Sequence, residues 1–419
     1  MTSSEQRLVR NVAGLRCREC GSEQPVGPSH VCGFCFGPLE PVYDDAVVAA
    51  RAHRDVITAG PATLWRYAPL LPIVRDGPLP DDLGTGLSPL RPAPRLAARL
   101  GLGRLWLKDD TRNPSGSFKD RVVSVALQAA RAFGIETLAC ASTGNLANSV
   151  AAHAAHAGMD AYVFVPHDLE EAKIVSSAVY GANVVAVKGS YDDVNRLCAE
   201  AADDLGWGFA NVNLRAYYAE GSKTLGFEVA EQLGWRLPDH VVVPVASGSQ
   251  LTKVHRAFRE LVRHGLVDDH PTRISGAQAA GCNPVAAAFK AGRDVIRPVK
   301  ADTIAKSLAI GNPADGYYAV NVVRDTGGEV DDVTDDEIRD GMRLLAETEG
   351  IFAETAGGVT IATLAKLARR GSVTPGEQVV AMITGNGLKT VESLTGHVGP
   401  AFHIEPSLDA FGRQLRSRG

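Results

Sequence analysis

The 419-residue chain has no run of eighteen apolar residues, so no segment reads as a membrane-spanning helix. Arg7 and Arg10 near the start are not followed by an apolar stretch, so no secretory leader is expected. Positive charge is not in excess: 43 Lys and Arg stand against 48 Asp and Glu, a formal net charge of −5. That balance argues against a nucleic-acid partner. No low-complexity segment and no solenoid period appears. Nor do the seven cysteines form a spread-out disulfide framework. Four crowd near the start, and Cys140, Cys198 and Cys282 are scattered. With no leader the expected location is the cytoplasm, where clustered cysteines more often bind metal than pair.

What is present is an ordinary globular composition, 45% hydrophobic and 22% charged. A chain of this length can bury a large core unaided, in two or three domains. Four regions separate. Residues 1–45 form a Cys-rich, zinc-ribbon-like module, 46–85 an N-terminal arm, 86–395 the main body, and 396–419 a polar, loosely packed tail. In the body, short apolar runs alternate with helical patterns. Strands are expected over 104–108, 137–141, 161–165, 184–188, 241–246, 273–277 and 379–383. Helices are expected over 117–133, 147–157, 170–180, 191–205, 222–233 and 251–263, and Thr334-Asp-Asp-Glu337 is a capping box opening another. The alternation implies an α/β fold with parallel sheets covered by helices on both faces. Ligands in such folds bind beyond the carboxyl ends of the strands.

The polar, Gly-rich segments fall at those strand ends. Asn113-Pro-Ser-Gly-Ser-Phe-Lys-Asp-Arg121 puts Ser117 where a helix N-cap is expected and Lys119 in the first turn. The helix dipole disfavours a cation there, so the amine is expected to be neutral or tied up as a Schiff base. Ser142-Thr-Gly-Asn-Leu-Ala-Asn148 joins a strand to an Ala-rich helix and offers hydroxyls, an amide and free N–H groups; an ordinary capped turn is the alternative. Ser247-Gly-Ser-Gln-Leu251 opens a helix with small residues whose N–H groups can cradle a phosphate, and Lys253 can add a charge. Ala353-Glu-Thr-Ala-Gly-Gly358, Thr384-Gly-Asn-Gly-Leu-Lys389 and the stretch 303–313, with Lys306 and Ser307, are further candidates. His153 and His156 read as hydrogen-bonded or partly exposed rather than as metal ligands.

Cys17-Arg-Glu-Cys20 and Cys32-Gly-Phe-Cys35 are two C-x-x-C pairs able to offer four thiolates to one structural zinc. Reduced, unmetallated thiols or a redox pair are the alternatives. Four sulfurs would leave no open position for catalysis.

Taken in order, Ser-Phe-Lys-Asp-Arg, Ser-Thr-Gly-Asn, a small-residue phosphate loop, Ile-Gly-Asn-Pro and Thr-Gly-Asn-Gly-Leu-Lys make the chain resemble the threonine synthases. These are pyridoxal-phosphate enzymes of the tryptophan-synthase-β-like fold. The resemblance covers about residues 86–395 and extends to the Cys-rich start of some bacterial members. It implies two doubly wound α/β domains with the cofactor between them, the smaller, about 120–225, inserted in a larger one made of 86–119 and 226–395. It implies that pyridoxal 5'-phosphate is held as an aldimine on Lys119, which also shuttles protons. Phe118 would position the ring, Asn145 would bond the ring hydroxyl, and Ser247, Gly248, Ser249, Gln250 and Leu251 would hold the phosphate. Thr384 would face the pyridine nitrogen. The reaction implied converts O-phospho-L-homoserine and water to L-threonine and phosphate. Ser142, Thr143, Asn148 and Lys306 are candidates for the substrate phosphate, and a homodimer is expected. One departure stands out: relatives often carry a Gly-Asn-x-Gly-Asn-like phosphate loop where this chain has Ala-Ser-Gly-Ser-Gln. The alternatives are β-replacement on phosphoserine, as in a cysteate synthase, deamination of serine or threonine, or a non-catalytic relative with an interaction module.

Overall fold

In a computed structural model describing residues 7–167, 171–189 and 191–417, the alternating pattern folds into two parallel sheets. The larger has six strands in the order Leu90–Pro92, Arg104–Asp109, Gln378–Ile383, His240–Pro244, Arg273–Ala279 and Val330–Val333. All run parallel except the edge strand Leu90–Pro92, which is antiparallel to its neighbour. The smaller sheet has four parallel strands in the order Asn183–Val187, Asp160–Pro166, Thr137–Ala141 and Gly208–Phe209.

The run His240-Val-Val-Val-Pro is buried at every position because both faces of its sheet are covered. Successive side chains alternate faces. Val241, Val243, Val380 and Met382 therefore enter one core, while Val242, Val379, Ala381 and Ile383 enter the core on the opposite face. The small sheet repeats the logic, with Leu138 and Cys140 on one side and Ala139 and Ala141 on the other. Each fully buried Val, Leu or Ile contributes roughly 1.5–3 kcal/mol, so these cores fix the strand ends that carry the site.

Helix boundaries mostly follow the sequence. The capping box forms in both directions: the Thr334 side chain accepts from the Glu337 N–H, and the Glu337 side chain accepts from the Thr334 N–H. The helix expected from 170 runs Glu171–Ala178, residue 170 lying outside the described residues. One cap is different. The helix carrying Lys119 runs Lys119–Ala132 with Phe118 as its N-cap, not Ser117. Phe118 is already α-helical in φ and ψ because its N–H is taken by the Thr384 carbonyl at 2.9 Å, which ties this turn to the end of the central strand.

Within 46–85, Ile57, Leu64, Trp65, Tyr67, Leu70 and Leu71 are buried, and the Tyr67 ring packs on Phe227 with centroids 5.4 Å apart. Beyond 396, Leu408–Arg416 is a helix with Leu408, Phe411 and Leu415 exposed. The cysteines sit on and beside a separate antiparallel sheet of Glu23–Gln24, Val12–Cys17 and Leu39–Tyr43. Among the described residues no helix is long and apolar enough to cross a membrane.

Candidate active site

Four of the Gly- and Ser-rich segments follow the carboxyl ends of parallel strands. Residues 113–121 come after Arg104–Asp109, Ser142–Asn148 after Thr137–Ala141, Ser247–Leu251 after His240–Pro244, and Thr384–Lys389 after Gln378–Ile383. Hydrogen bonds cross between residues carried by the two sheets. Asn145 and Asn148, at the start of Asn145–Ala157, belong to the smaller one. Glu354, Thr384 and Lys389 belong to the larger.

Lys119 is half-buried, and its Nζ donates to the Tyr218 hydroxyl at 3.1 Å and lies 4.7 Å from the Phe118 ring centre. Tyr218 was not among the sequence candidates; it stands 99 residues from Lys119, and no local pattern marked it. The next two residues hold this turn. Asp120 accepts from the Ser115 N–H and hydroxyl at 2.7 and 2.6 Å and from the Ser149 hydroxyl at 2.7 Å, with His153 Nε2 at 3.4 Å. Burial opposes ionisation of Asp120, but His153 and the two hydroxyls outweigh it and hold the carboxyl below its usual range. Arg121 is fully buried and spends its guanidinium on Asp110, Glu228, Thr224 and Ser88. Lys108 joins the same cluster through Glu228, Gln232 and the Ser88 carbonyl. Against burial, Arg121 and Lys108 hold Glu228 down to about 2.

Asn145 donates from Nδ2 to Glu354 Oε2 at 2.8 Å. Glu354 is 2% exposed, and burial raises its pKa above the usual carboxylate value. Its own N–H donates to the Gly385 carbonyl at 2.9 Å, and a Cβ on Gly385 would land on the Glu354 carboxyl. Glycine at 385 thus makes room for the acid. Asn148 donates to the Ser176 carbonyl and hydroxyl at 3.2 and 2.8 Å and to the Ser177 hydroxyl at 3.1 Å, and it accepts from Lys389 Nζ at 2.7 Å. Burial lowers the Lys389 pKa. Glu354 and Lys389 lie inside segments singled out from the sequence, yet their partners are 209 and 241 residues away.

Gly248 has φ +96°, and a Cβ there would meet the Asp315 carbonyl oxygen at 2.6 Å. Only glycine fits, and the bend opens the helix Ser249–Arg263, whose first N–H groups have no intrahelical partner. Thr252 bonds back to the Gly248 carbonyl at 3.2 Å, the start of the helical ladder. Ser247 Oγ accepts from the Ser249 N–H at 3.4 Å, and the buried Gln250 Nε2 has no partner among the described residues. Leu251 is buried in the core behind the loop. These spare donors suit a phosphate with oxygens on several sides. Lys253 does not serve it. Its ammonium donates to Glu40 and Glu220 at 2.7 and 2.6 Å, two carboxylates brought in from distant segments.

Thr384 is 3% exposed at its strand end. Ser142 and Thr143 are half-buried, and the Ser142 hydroxyl accepts from the Gly144 N–H at 3.3 Å. Lys306 and Ser307 are exposed on the turn Lys306–Leu308, and among the described residues the Lys306 ammonium has no hydrogen-bond partner.

The four N-terminal sulfurs converge. Cys17, Cys20, Cys32 and Cys35 Sγ all lie within 4.8 Å of one another, with Cys17–Cys35 at 3.4 Å and Cys20–Cys32 at 3.8 Å. The edge of a tetrahedron with 2.3 Å metal–sulfur bonds is about 3.8 Å, so the set suits one four-coordinate ion. The N–H groups of Glu19 and Phe34 point at Cys17 and Cys32 sulfur, both at 3.4 Å. Chiefly through the N–H groups of Cys35 and Phe34, the Cys32 thiol is drawn down to about 6.

A lysine at a helix start beyond one strand of the larger sheet, and a glycine-bent, donor-rich helix opening beyond another, define a class. Residues 82–385 match the family of pyridoxal-phosphate dependent enzymes, and the chain belongs to that family. Solved structures share the fold: threonine deaminase isoform 2 from Solanum lycopersicum (TM-score 0.62, 22% identity, 75% of this chain and 88% of that one) and O-ureido-L-serine synthase (TM-score 0.61, 22% identity, 78% and 96%).

Within that class the chain sits with the threonine synthases. It is 34% identical over 403 residues to the threonine synthase of Methanocaldococcus jannaschii, covering 96% of this chain and 99% of that protein. It is 33% identical to that of Methanosarcina acetivorans (94% and 97%) and 36% identical to that of Mycobacterium leprae (78% and 89%).

Proposed function

We propose that the chain converts O-phospho-L-homoserine and water to L-threonine and inorganic phosphate. The observation that carries this reading is the extent of the likeness. The threonine synthase of Methanocaldococcus jannaschii matches through almost the whole chain, Cys-rich start included, whereas the deaminase and O-ureido-L-serine synthase share the fold at 22% identity.

The residues present fit pyridoxal phosphate. Ser247, Gly248, Ser249, Gln250 and Leu251 would hold its phosphate through N–H groups and the spare Gln250 amide. Phe118 would pack beside the ring, and the Thr384 hydroxyl would meet the pyridine nitrogen. The Asn145 amide has two hydrogens; Glu354 takes one, which leaves the second for the ring oxygen. When bound, the cofactor supplies an electron sink for a carbanion at the amino acid's Cα.

The chain supplies the proton handling. Lys119 Nζ is the group that removes and returns protons at substrate carbons, and Tyr218 orients it. Asp120 and Arg121 anchor its turn through separate sets of partners, so the amine extends from a fixed base. A leaving phosphate would be met by Ser142, Thr143 and Asn148, with the ammonium of Lys389 in the role first assigned to Lys306, because Lys389 touches Asn148 and Lys306 does not. The two sheets support a division into a smaller domain of about 120–225 set within a larger one of 86–119 and 226–395. The four thiolates would hold a structural zinc, and a cytoplasmic homodimer fits the reading.

The test is release of phosphate and threonine from O-phosphohomoserine by purified protein beside Lys119→Ala. Equal release of both, lost in the variant, is expected. A protein that binds the cofactor yet releases neither would overturn the substrate assignment.

A further inference from the structure

Between the paired cysteines stands Arg18, and it faces away from the sulfurs. Its Nη1 lies 3.2 Å from Asp315 Oδ1, its Nε 3.4 Å from Glu40 Oε1, and its guanidinium 3.4 Å over the Tyr318 ring, whose hydroxyl bonds Glu19. Asp315 is the residue pressed against the phosphate loop: its carbonyl occupies the space a Cβ on Gly248 would need, and its N–H donates to the Ser247 carbonyl at 2.9 Å. Its carboxyl also takes Arg215 at 2.8 Å. Glu40, the second anchor of Arg18, grips the helix behind the loop through Lys253 and Arg256, at 2.7 and 2.6 Å. The cysteine module therefore holds both the mouth and the flank of the cradle, through side chains that are 19% exposed for Arg18 and 7% for Asp315.

We infer that Arg18 is a positioning residue for the cofactor's phosphate: the tetrathiolate centre fixes the turn 17–20, and Arg18 relays that rigidity to Asp315 and the Gly248 bend. The inference rests on the cofactor and metal reading above but not on the identity of the substrate. The physical basis is short. Cys17 and Cys20 flank Arg18 by one and two residues, so an ion gripping both leaves the arginine little backbone freedom. Without that ion the turn regains freedom, and Asp315 loses a charge-assisted partner.

The test compares full-length Arg18→Gln, Arg18→Lys and the control Arg16→Gln. Arg16 pairs with Glu23 inside the module at an exposed position, so its loss leaves the loop alone. Dissociation constants for pyridoxal phosphate and for pyridoxal, which lacks the phosphate, are read from the visible absorbance of bound cofactor, with metal content measured on the same samples. Arg18→Gln should weaken pyridoxal phosphate about tenfold, the scale of one charged hydrogen bond. Pyridoxal affinity and metal content should hold, and Arg18→Lys should recover part of the loss. Withdrawing the metal from wild type with a chelator should weaken pyridoxal phosphate similarly, and doing so in Arg18→Gln should add little. If Arg18→Gln does not fold, Asp315→Asn, which keeps the carbonyl over Gly248, should give the same phosphate-specific loss. Equal affinities in Arg18→Gln and Arg16→Gln would overturn the inference. So would equal losses for pyridoxal and its phosphate, full multiplication of the two effects, or metal-free wild type that binds the cofactor unchanged. No reaction is measured, so a failure here is separate from a failure to make threonine.

Discussion

Lys119 and Arg121 are two residues apart on one helical turn and lead opposite lives. Arg121 is wholly buried and its guanidinium is fully used by Asp110, Glu228, Thr224 and Ser88. Lys119 is half-buried and reaches one tyrosine hydroxyl. The saturated cluster around Arg121, two cations against two carboxylates with Lys108 included, has no capacity left for a ligand. The candidate site is under-satisfied: Gln250 Nε2 has no partner among the described residues, and the helix that opens at Gly248 has first-turn N–H groups without intrahelical partners. Groups with spare bonding capacity are the ones that bind, and their saturated neighbours hold them still.

The comparison breaks first at the lysine. Lys119→Ala should abolish phosphate and threonine release and the absorbance of bound cofactor, while the unfolding free energy of the cofactor-free protein, from urea titration, changes by less than about 0.5 kcal/mol. The reverse holds for Arg121. Arg121→Met strands Asp110 without a cation, leaves Glu228 to Lys108 alone, and should cost about 3–5 kcal/mol in urea unfolding. Loss of activity in Arg121→Met should follow loss of fold, so protein that remains folded keeps cofactor. A stable, inactive Arg121→Met would collapse the distinction between the two residues.

Acid sharpens it. Glu228 and Glu40 are both held near about 2, against an ordinary 4.5, by the cations around them. A carboxyl whose folded pKa is depressed contributes stability above its unfolded value and loses it as pH falls toward the folded one. The contribution of these two carboxyls should therefore be flat above about pH 4.5 and drop between there and about 2. Urea titrations across that window should show a shallower drop in Glu228→Gln than in wild type, with the Glu40 share remaining.

Much of this was legible in the chain. The fold follows from Val- and Ala-rich strands alternating with helical patterns, and the site segments follow from Gly, Ser and Asn at strand ends. The Thr334 capping box is local chemistry and was read from four residues. What stayed hidden depends on tertiary partners. Lys253 looks like a phosphate cation until Glu40 and Glu220 arrive from elsewhere in the chain. Ser117 looks like a cap until the Thr384 carbonyl captures the Phe118 N–H. Glu354 sits in a segment read only for its glycines; its significance lies in Asn145, 209 residues away, and in a burial that no spacing reveals. Local rules marked the segments of the candidate site and missed the acid, the tyrosine and the second lysine that the fold brings beside them.

Glu354 offers the smallest and finest test, because it is the carboxyl on the binding side of the comparison. Burial raises its pKa, opposite to Glu228, since the groups near it only partly offset desolvation. A carboxyl raised in the fold favours the native state at low pH, and that contribution fades as pH rises from the unfolded value through the folded one. The neutral Glu354→Gln should therefore lack this fading, and it keeps an amide oxygen to accept from Asn145. Cofactor affinity in Glu354→Gln should stay within about threefold of wild type, whereas Glu354→Ala, which leaves the Asn145 amide without its acceptor, should lose about tenfold. The measurement is a cofactor titration of the three proteins at several pH values. If Glu354→Gln falls as far as Glu354→Ala, the carboxylate charge itself supports the site. The contrast between a cluster whose charges build and a carboxyl that serves through its hydrogen bond would then have to be redrawn.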